Sequence, residues 1–114
     1  MKPEQEPIAV EVSSGNIFAD LGLPDAEESL LKSQIVIVLF HLIKAKKHTQ
    51  TAAAKLIGIG QPDLSHILRG HFRGWSVDRL MRMLTAFEQD VEITVRPHAK
   101  AGEAGNISFN VAAV

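Results

Sequence analysis

The sequence contains no cysteine, which excludes disulfides, thiolate nucleophiles and cysteine-ligated metal sites. It also lacks long apolar runs. The longest, Ile35–Phe40, has six residues, whereas a membrane-spanning helix needs about 18 or more. The acidic N-terminus has no apolar stretch of the kind that signal peptides carry. We therefore expect a cytoplasmic protein with no membrane contact and, at 114 residues, a single compact domain.

Positive charge has no overall excess, since the net charge is −1, but the charges are unevenly distributed. Residues 1–40 hold two basic and seven acidic residues, residues 41–82 hold eight and two, and residues 83–114 hold two and four. The basic middle of the chain indicates a surface for nucleic acid that the net charge conceals. Residues 1–14, rich in Glu and Pro, are predicted to form a flexible acidic arm.

Four helical segments are predicted between residues 25 and 87. The first runs from Asp25, its predicted N-cap, to about Lys46, with acidic residues in its first turn and lysines in its last. The other three are short and cover 49–56, 61–69 and 76–87. Their predicted caps are Thr49 and Ser76 at N-termini, and Gly58 and Gly70 at C-termini. Trp75 is expected to fill the space between the last two helices.

The run Ile35–Phe40 is apolar on every face of the first predicted helix, although a helix packed on one side needs only an apolar stripe. Two explanations remain open for the surplus residues Val36, Ile37 and Phe40. An N-terminal anchor, formed by Ile17, Phe18 and Leu21, and the tail strand could cover them. Otherwise they contact a dimer partner or another protein.

Two C-terminal segments, 91–96 and 107–111, alternate apolar and polar residues, which is typical of half-buried strands. Because two isolated strands are marginally stable, we expect them to pair with each other or across a dimer axis. Their apolar residues are the predicted dimer or partner interface: Val91, Ile93, Val95, Ile107, Phe109 and Val111.

The stretch from Thr49 to Gly70 predicts two short helices joined by a glycine-containing turn. The first helix carries three consecutive alanines, Ala52–Ala54, which permit close approach of a neighbouring helix. In the turn Gly58-Ile59-Gly60, the central isoleucine is placed to fill the angle between the helices. Two helices that cross steeply through such a turn form a helix-turn-helix. The start of its second helix is left exposed, where it can enter a DNA major groove.

The run over these two helices reads Thr49-Gln50-x-x-Ala53-Ala54-x-Leu56-x-Gly58-Ile59-x-Gln61-Pro62-x-x-Ser65-x-Ile67-Leu68-Arg69-Gly70. This run resembles the helix-turn-helix core of the XRE/Cro-type regulators. The segments 15–28 and 76–95 are similar to those of small XRE-family antitoxins in HigBA/RelE-type (HigA-type) toxin–antitoxin modules. The resemblance covers roughly residues 14–97. The predicted fold is therefore mainly α, a lambda-repressor-like helix-turn-helix bundle, with a short C-terminal antiparallel strand or hairpin.

The resemblance implies a homodimer that binds operator DNA and represses its own promoter. Many such proteins also neutralise a RelE/HigB-type ribonuclease toxin. The residues predicted to read bases are Gln61, Ser65, Asp63 and His66. Those predicted to contact the DNA backbone are Thr49, Gln50, Lys55, Arg69 and Arg73. Gln50 is expected to brace either the backbone or Gln61.

Two positions depart from the family pattern. Gly60 stands where Ser or Thr usually caps the recognition helix, which weakens the cap by roughly a few tenths of a kcal/mol. Asp63 adds a carboxylate that would accept from a cytosine amine or repel phosphate. Either role of Asp63 predicts modest, salt-sensitive affinity.

The predicted domains are the acidic arm (1–14), the helix-turn-helix domain with the first strand (15–97), and a loop with the second strand for dimerisation (98–114). No enzymatic activity, cofactor or metal site is expected, because the histidines do not converge and no carboxylate pair completes a site. The leading hypothesis is an antitoxin and autorepressor. The alternatives are a stand-alone phage-like repressor and a protein-interaction module whose helix-turn-helix does not bind DNA.

Overall fold

The computed structural model describes residues 25–112, in which the chain forms four α-helices. They are α1 (Asp25–Ala45), α2 (Gln50–Ile57), α3 (Gln61–Leu68) and α4 (Val77–Thr85). Helix α1 packs against α4 and α3, and α2 packs against α3. This arrangement is consistent with the predicted helix-turn-helix bundle, and the predicted arm and N-terminal anchor lie outside the described residues.

One face of α1 forms the centre of the core. Leu31, Ile35, Leu39 and Leu42 recur at helical spacing and are buried, and Ile35 and Leu39 have no exposed surface. The other buried apolar residues are Val36, Ile43, Ala53, Ala54, Leu64, Ile67, Val77, Leu80, Met83, Leu84 and Phe87. Each large side chain buried in this way contributes about 1.5–3 kcal/mol, so the shared core holds the short helices in place.

A tight turn at the end of α1 directs the chain into α2. Lys47 adopts a left-handed conformation with φ 58°, and the N–H of His48 donates to the carbonyl of Ile43 at 3.1 Å. This bond closes the helix, as a left-handed residue commonly does at a helix C-terminus. The helix thus ends at Ala45, close to the predicted end, while Asp25 lies within its first turn instead of capping it.

The C-terminal segment contradicts the predicted strand or hairpin, because residues 88–112 contain no strand. Val95 is 92% exposed and Ile93 is 64% exposed. Val91 and Phe109 instead pack, partly buried, against the helical core. Alternation predicts which side chains would share a face. A strand forms only when a second strand supplies backbone hydrogen-bond partners, and residues 25–112 provide no such partner.

The apolar run of α1 is divided between core and surface. Val36 is buried, whereas Ile37 and Phe40 are exposed. The ammonium group of Lys44 lies 5.5 Å from the ring centroid of Phe40, a cation–π contact. What covers this face beyond the described residues stays a prediction. Within residues 25–112, no helix is both long enough and apolar enough to span a membrane.

Truncation of the core face of α1 should unfold the protein more readily than truncation of an exposed leucine. We expect Leu39→Ala to lower the free energy of unfolding by about 2–5 kcal/mol, because it leaves a cavity at a fully buried position. Leu56, which is 52% exposed, provides the matched control, with an expected loss of less than about 1 kcal/mol for Leu56→Ala. Urea unfolding followed by circular dichroism measures both, and equal losses would contradict this account of the core.

Candidate nucleic-acid interface

Helix α2 is capped and packed as the sequence predicts. The Oγ1 of Thr49 accepts a hydrogen bond from the backbone N–H of Ala52 at 3.1 Å, which satisfies one of the free donors at the helix N-terminus. Ala53 and Ala54 are buried against the rest of the core. Their small side chains permit α2 to lie close to α3, so α2 acts as the support on which α3 is presented.

The turn between α2 and α3 depends on two glycines in different conformations. Gly58 has φ 93°, and its N–H donates to the carbonyl of Ala54 at 2.8 Å, so the predicted left-handed C-cap is confirmed. Ile59 is partly buried against the core. Gly60 has φ −70° and ψ 148°, the N-cap conformation, without a side-chain hydrogen bond. The recognition helix therefore begins with the weak cap that the sequence predicts.

Helix α3 buries one face and exposes the other. Leu64 and Ile67 are buried with no exposed surface, while Gln61 is exposed and Ser65 is half-buried. Gln61 and Ser65 are four residues apart and therefore lie on the same edge of the helix. Asp63 is exposed but lies about 200° around the helix axis from Gln61. The predicted base-reading residues are thus divided between the two edges of the exposed face.

A side-chain hydrogen bond joins α2 to the start of α3. The Nε2 of Gln61 donates to the Oε1 of Gln50 at 3.1 Å, and both residues are exposed. The predicted contact between Gln50 and Gln61 is thus present, while the contact of Gln50 with the DNA backbone stays a prediction. A glutamine amide has two N–H donors and a carbonyl acceptor. This bond uses one N–H of Gln61, which leaves the other N–H and the carbonyl for a ligand.

Three of the predicted backbone-contact residues are exposed cations around α3: Lys55 on α2, Arg69 at the C-cap of α3, and Arg73 in the loop before α4. In the part of the chain that the structure describes, carboxylates pair with Lys32, Lys46 and Arg82 but with none of these three. As far as residues 25–112 are concerned, the three cations therefore keep their charge available to an anionic partner.

The imidazoles of His66 and His71 lie edge to face, with centroids 6.1 Å apart. Since His66 is exposed on α3 and is three residues from Asp63, it adds a hydrogen-bonding group toward the Asp63 edge of the exposed face. No cluster of three or more His, Asp or Glu residues in the described range 25–112 could hold a metal ion.

The loop between α3 and α4 is held on its inner side by aromatic residues. Phe72 and Trp75 are half-buried and pack against the core, and the N–H of Trp75 donates to the carbonyl of Phe72 at 3.0 Å. The guanidinium of Arg79 lies 4.2 Å from the ring centroid of Trp75. Trp75 thus packs near the start of α4, in keeping with the predicted role as a filler.

Sequence reasoning missed one residue that contacts this loop. Lys32 on α1 is 6% exposed, and its Nζ donates to the backbone carbonyl of Arg73 at 3.2 Å. The available signal was a lysine four residues after Glu28 and next to the core face of α1. In sequence, that spacing also fits an ordinary exposed ion pair.

Comparisons with known proteins agree with this geometry. The model of a helix-turn-helix domain family matches residues 17–96. A solved structure, provisionally described as an XRE family transcriptional regulator, is 39% identical, with a TM-score of 0.73. The similarity covers 78% of this chain and 100% of that one. Among curated proteins, none matches the chain significantly.

The chain therefore belongs to the helix-turn-helix domain family, and its helix-turn-helix is of the XRE type. The predicted resemblance to XRE/Cro-type proteins is confirmed at this level.

The two turn glycines should respond to substitution with opposite signs. Gly60→Ser should raise the free energy of unfolding by about 0.5–1 kcal/mol, because serine caps α3 and restricts the unfolded chain. A Cβ at Gly60 meets its nearest atoms at 3.7 Å, so the site has room. Gly58→Ser should lower the free energy of unfolding by about 1–2 kcal/mol, because serine is strained at φ 93°. Thermal unfolding measures both, and Gly60→Ala separates the cap from the chain-entropy effect.

Proposed function

We propose that this protein is a sequence-specific DNA-binding regulator of transcription that reads operator DNA with α3. The observation that carries the proposal is the hydrogen bond between Gln50 and Gln61 at the exposed start of α3. A free glutamine side chain loses rotamer freedom when it binds a base edge, which reduces affinity. Because Gln50 already holds Gln61, part of that cost is met before DNA is bound.

The remaining groups of Gln61 match adenine. In the major groove, adenine presents the N7 acceptor next to the N6 amine donor, and a glutamine amide can pair with both. The second N–H of Gln61 would donate to N7 while its carbonyl accepts from N6. Ser65 lies on the same edge of α3, one turn further along, where its hydroxyl can contact the neighbouring base step.

Phosphate contacts would come from the exposed cations around α3. Lys55, Arg69 and Arg73 attract the DNA backbone without reading sequence, and each phosphate that they neutralise releases condensed counterions. Thr49 can also donate its hydroxyl hydrogen to a phosphate while its oxygen caps α2. Asp63, on the far edge of α3, would accept from a cytosine amine or lower the affinity by repulsion.

The proposal includes a homodimer, because a single recognition helix buries too little surface for tight, specific binding. Two copies of α3 about 34 Å apart would read the two halves of a palindrome. The apolar side chains proposed to meet the second copy are exposed in the C-terminal segment: Ile93, Val95, Ile107 and Val111. Val91 and Phe109, from the same predicted interface, pack partly against the core of their own chain.

The finer proposal is that the protein is the antitoxin and autorepressor of a toxin–antitoxin module. Its support is the resemblance of the segments 15–28 and 76–95 to HigA-type antitoxins. The region that matches the domain family begins at residue 17 and so includes most of the first segment. The proposed partner is a RelE/HigB-type ribonuclease toxin encoded next to this gene.

Removal of the Gln61 amide should relax sequence recognition. We expect Gln61→Ala to weaken binding to the DNA upstream of its own gene by about 10–100-fold, with the loss confined to sites that carry the contacted base pair. Arg69→Ala should weaken binding to all sequences and reduce the slope of log K against log [salt] by about 1. Fluorescence anisotropy at several salt concentrations, with competitor DNA, measures both.

The matched control is Arg96→Ala, which removes an exposed arginine from the C-terminal segment and should leave the binding nearly unchanged. Two protomers per operator are expected at saturation. Absence of any complex at low salt would contradict the proposal and favour a protein-interaction module. Equal losses of DNA-binding affinity for Arg69→Ala and Arg96→Ala would contradict the proposed phosphate contact of Arg69.

A toxin partner should bind without the base-reading residues. We expect the purified ribonuclease encoded beside this gene to form a stable complex with both the wild type and Gln61→Ala, because Gln61 lies on the proposed DNA-facing edge. Its activity on RNA should fall as the complex forms. Size-exclusion chromatography and an RNA-cleavage assay measure these outcomes. A neighbouring ribonuclease that forms no complex would leave the stand-alone repressor as the function.

A further inference from the structure

Among the described residues, Lys32 is the one polar or charged residue that is buried, and it lies within the core face of α1. Its side chain keeps 8% of its surface exposed, compared with 35% for its ion-pair partner Glu28. An ammonium group in such a site loses much of its hydration and needs polar partners in return. The identity of those partners therefore indicates what this lysine does.

Among residues 25–112, two partners meet the ammonium group. The Oε2 of Glu28 lies 2.9 Å from Nζ, one helical turn away on α1. The backbone carbonyl of Arg73, distant in sequence, accepts a hydrogen bond from Nζ at 3.2 Å. The ion pair is local to α1, whereas the bond to the carbonyl joins α1 to the loop between α3 and α4.

The joined loop carries a proposed phosphate contact. The side chain of Arg73 is exposed and unpaired with any carboxylate in residues 25–112, while its carbonyl is held from the core side. Phe72 and Trp75 fix the loop on either side of Arg73 by packing on the core. Between Phe72 and Trp75, Lys32 holds the loop by its hydrogen bond to the carbonyl of Arg73, whose side chain is exposed.

We propose that Lys32 is a positioning residue for DNA-backbone binding, because it holds the Arg73 carbonyl and thereby orients the loop on which Arg73 meets phosphate. The inference depends on the proposed function. A loop that is already ordered loses less conformational entropy when DNA binds. Lys32 itself does not touch DNA in this proposal, since its ammonium group is buried.

The role can be separated from folding. Replacement of a buried ionic group by an apolar residue of similar volume is often neutral or stabilising. Methionine has nearly the length of lysine and fills irregular core space. Glu28 is partly exposed and can be solvated when its partner is lost. Lys32→Met should therefore fold while releasing the Arg73 carbonyl, and urea unfolding verifies the first of these.

The test is a double-mutant cycle between Lys32→Met and Arg73→Ala, measured as binding to the operator-containing duplex over a range of salt concentrations. Lys32→Met should weaken binding by about 3–10-fold and reduce the salt slope by up to about 1, as the loss of one phosphate contact does. In the Arg73→Ala background, Lys32→Met should have little further effect, because the contact that it positions is already absent. Discrimination at the base pair read by Gln61 should not change.

The matched control is Lys44→Met, the same substitution at an exposed lysine of the same helix. It removes an equal charge, so it reports the general electrostatic loss, and it should keep the wild-type salt slope. If Lys32→Met does not fold, Lys32→Leu replaces it in the cycle with the same expected outcome.

Three results would overturn the inference. One is an unchanged affinity and salt slope in folded Lys32→Met while the wild type binds. The second is full additivity of Lys32→Met and Arg73→Ala. The third is no binding by the wild type at any salt concentration, which would overturn the proposed function as well and is thus distinguished from the other two.

Discussion

Burial of one face of α1 against α4 and α3, with α2 packed on α3, is the interaction on which the rest of the structure depends. Helices α2, α3 and α4 have only eight, eight and nine residues, and helices of that length are marginal in water by themselves. Ile35 and Leu39 supply fully buried side chains around which Leu64, Ile67 and Leu80 assemble. Presentation of α3 to a ligand is therefore a consequence of core packing and not of helix propensity.

Two hydrogen bonds link the supporting helices α1 and α2 to the segments proposed to meet DNA. Gln50 holds Gln61 across the angle between α2 and α3, and Lys32 holds the carbonyl of Arg73 from α1. One bond orients a group suited to bases and the other a segment suited to phosphate. In both cases a residue of the supporting helix limits the motion of a residue at the proposed interface, which under this proposal would lower the entropic cost of binding.

Sequence patterns predicted the parts of the site that local chemistry controls. Thr49 and Ser76 accept bonds from N–H groups three residues later, and Gly58 adopts the left-handed conformation, as their residue types favour. Lys32 escaped prediction because its partner, the Arg73 carbonyl, is 41 residues away. The 91–96 segment was mispredicted because alternation contains no information about a pairing strand.

By itself, the sequence determined the four helices, the caps at Thr49, Gly58 and Ser76, the glycine turn and the family to which the chain belongs. These features depend on residues within one or two turns of each other, where side-chain type and spacing suffice. Only the tertiary structure decided that Gln61 donates a hydrogen bond to Gln50 and that Lys32 is attached to the loop before α4. It also left Val95 in solvent. Each of these outcomes depends on which distant groups meet, and that is set by the packing of whole helices around the shared core.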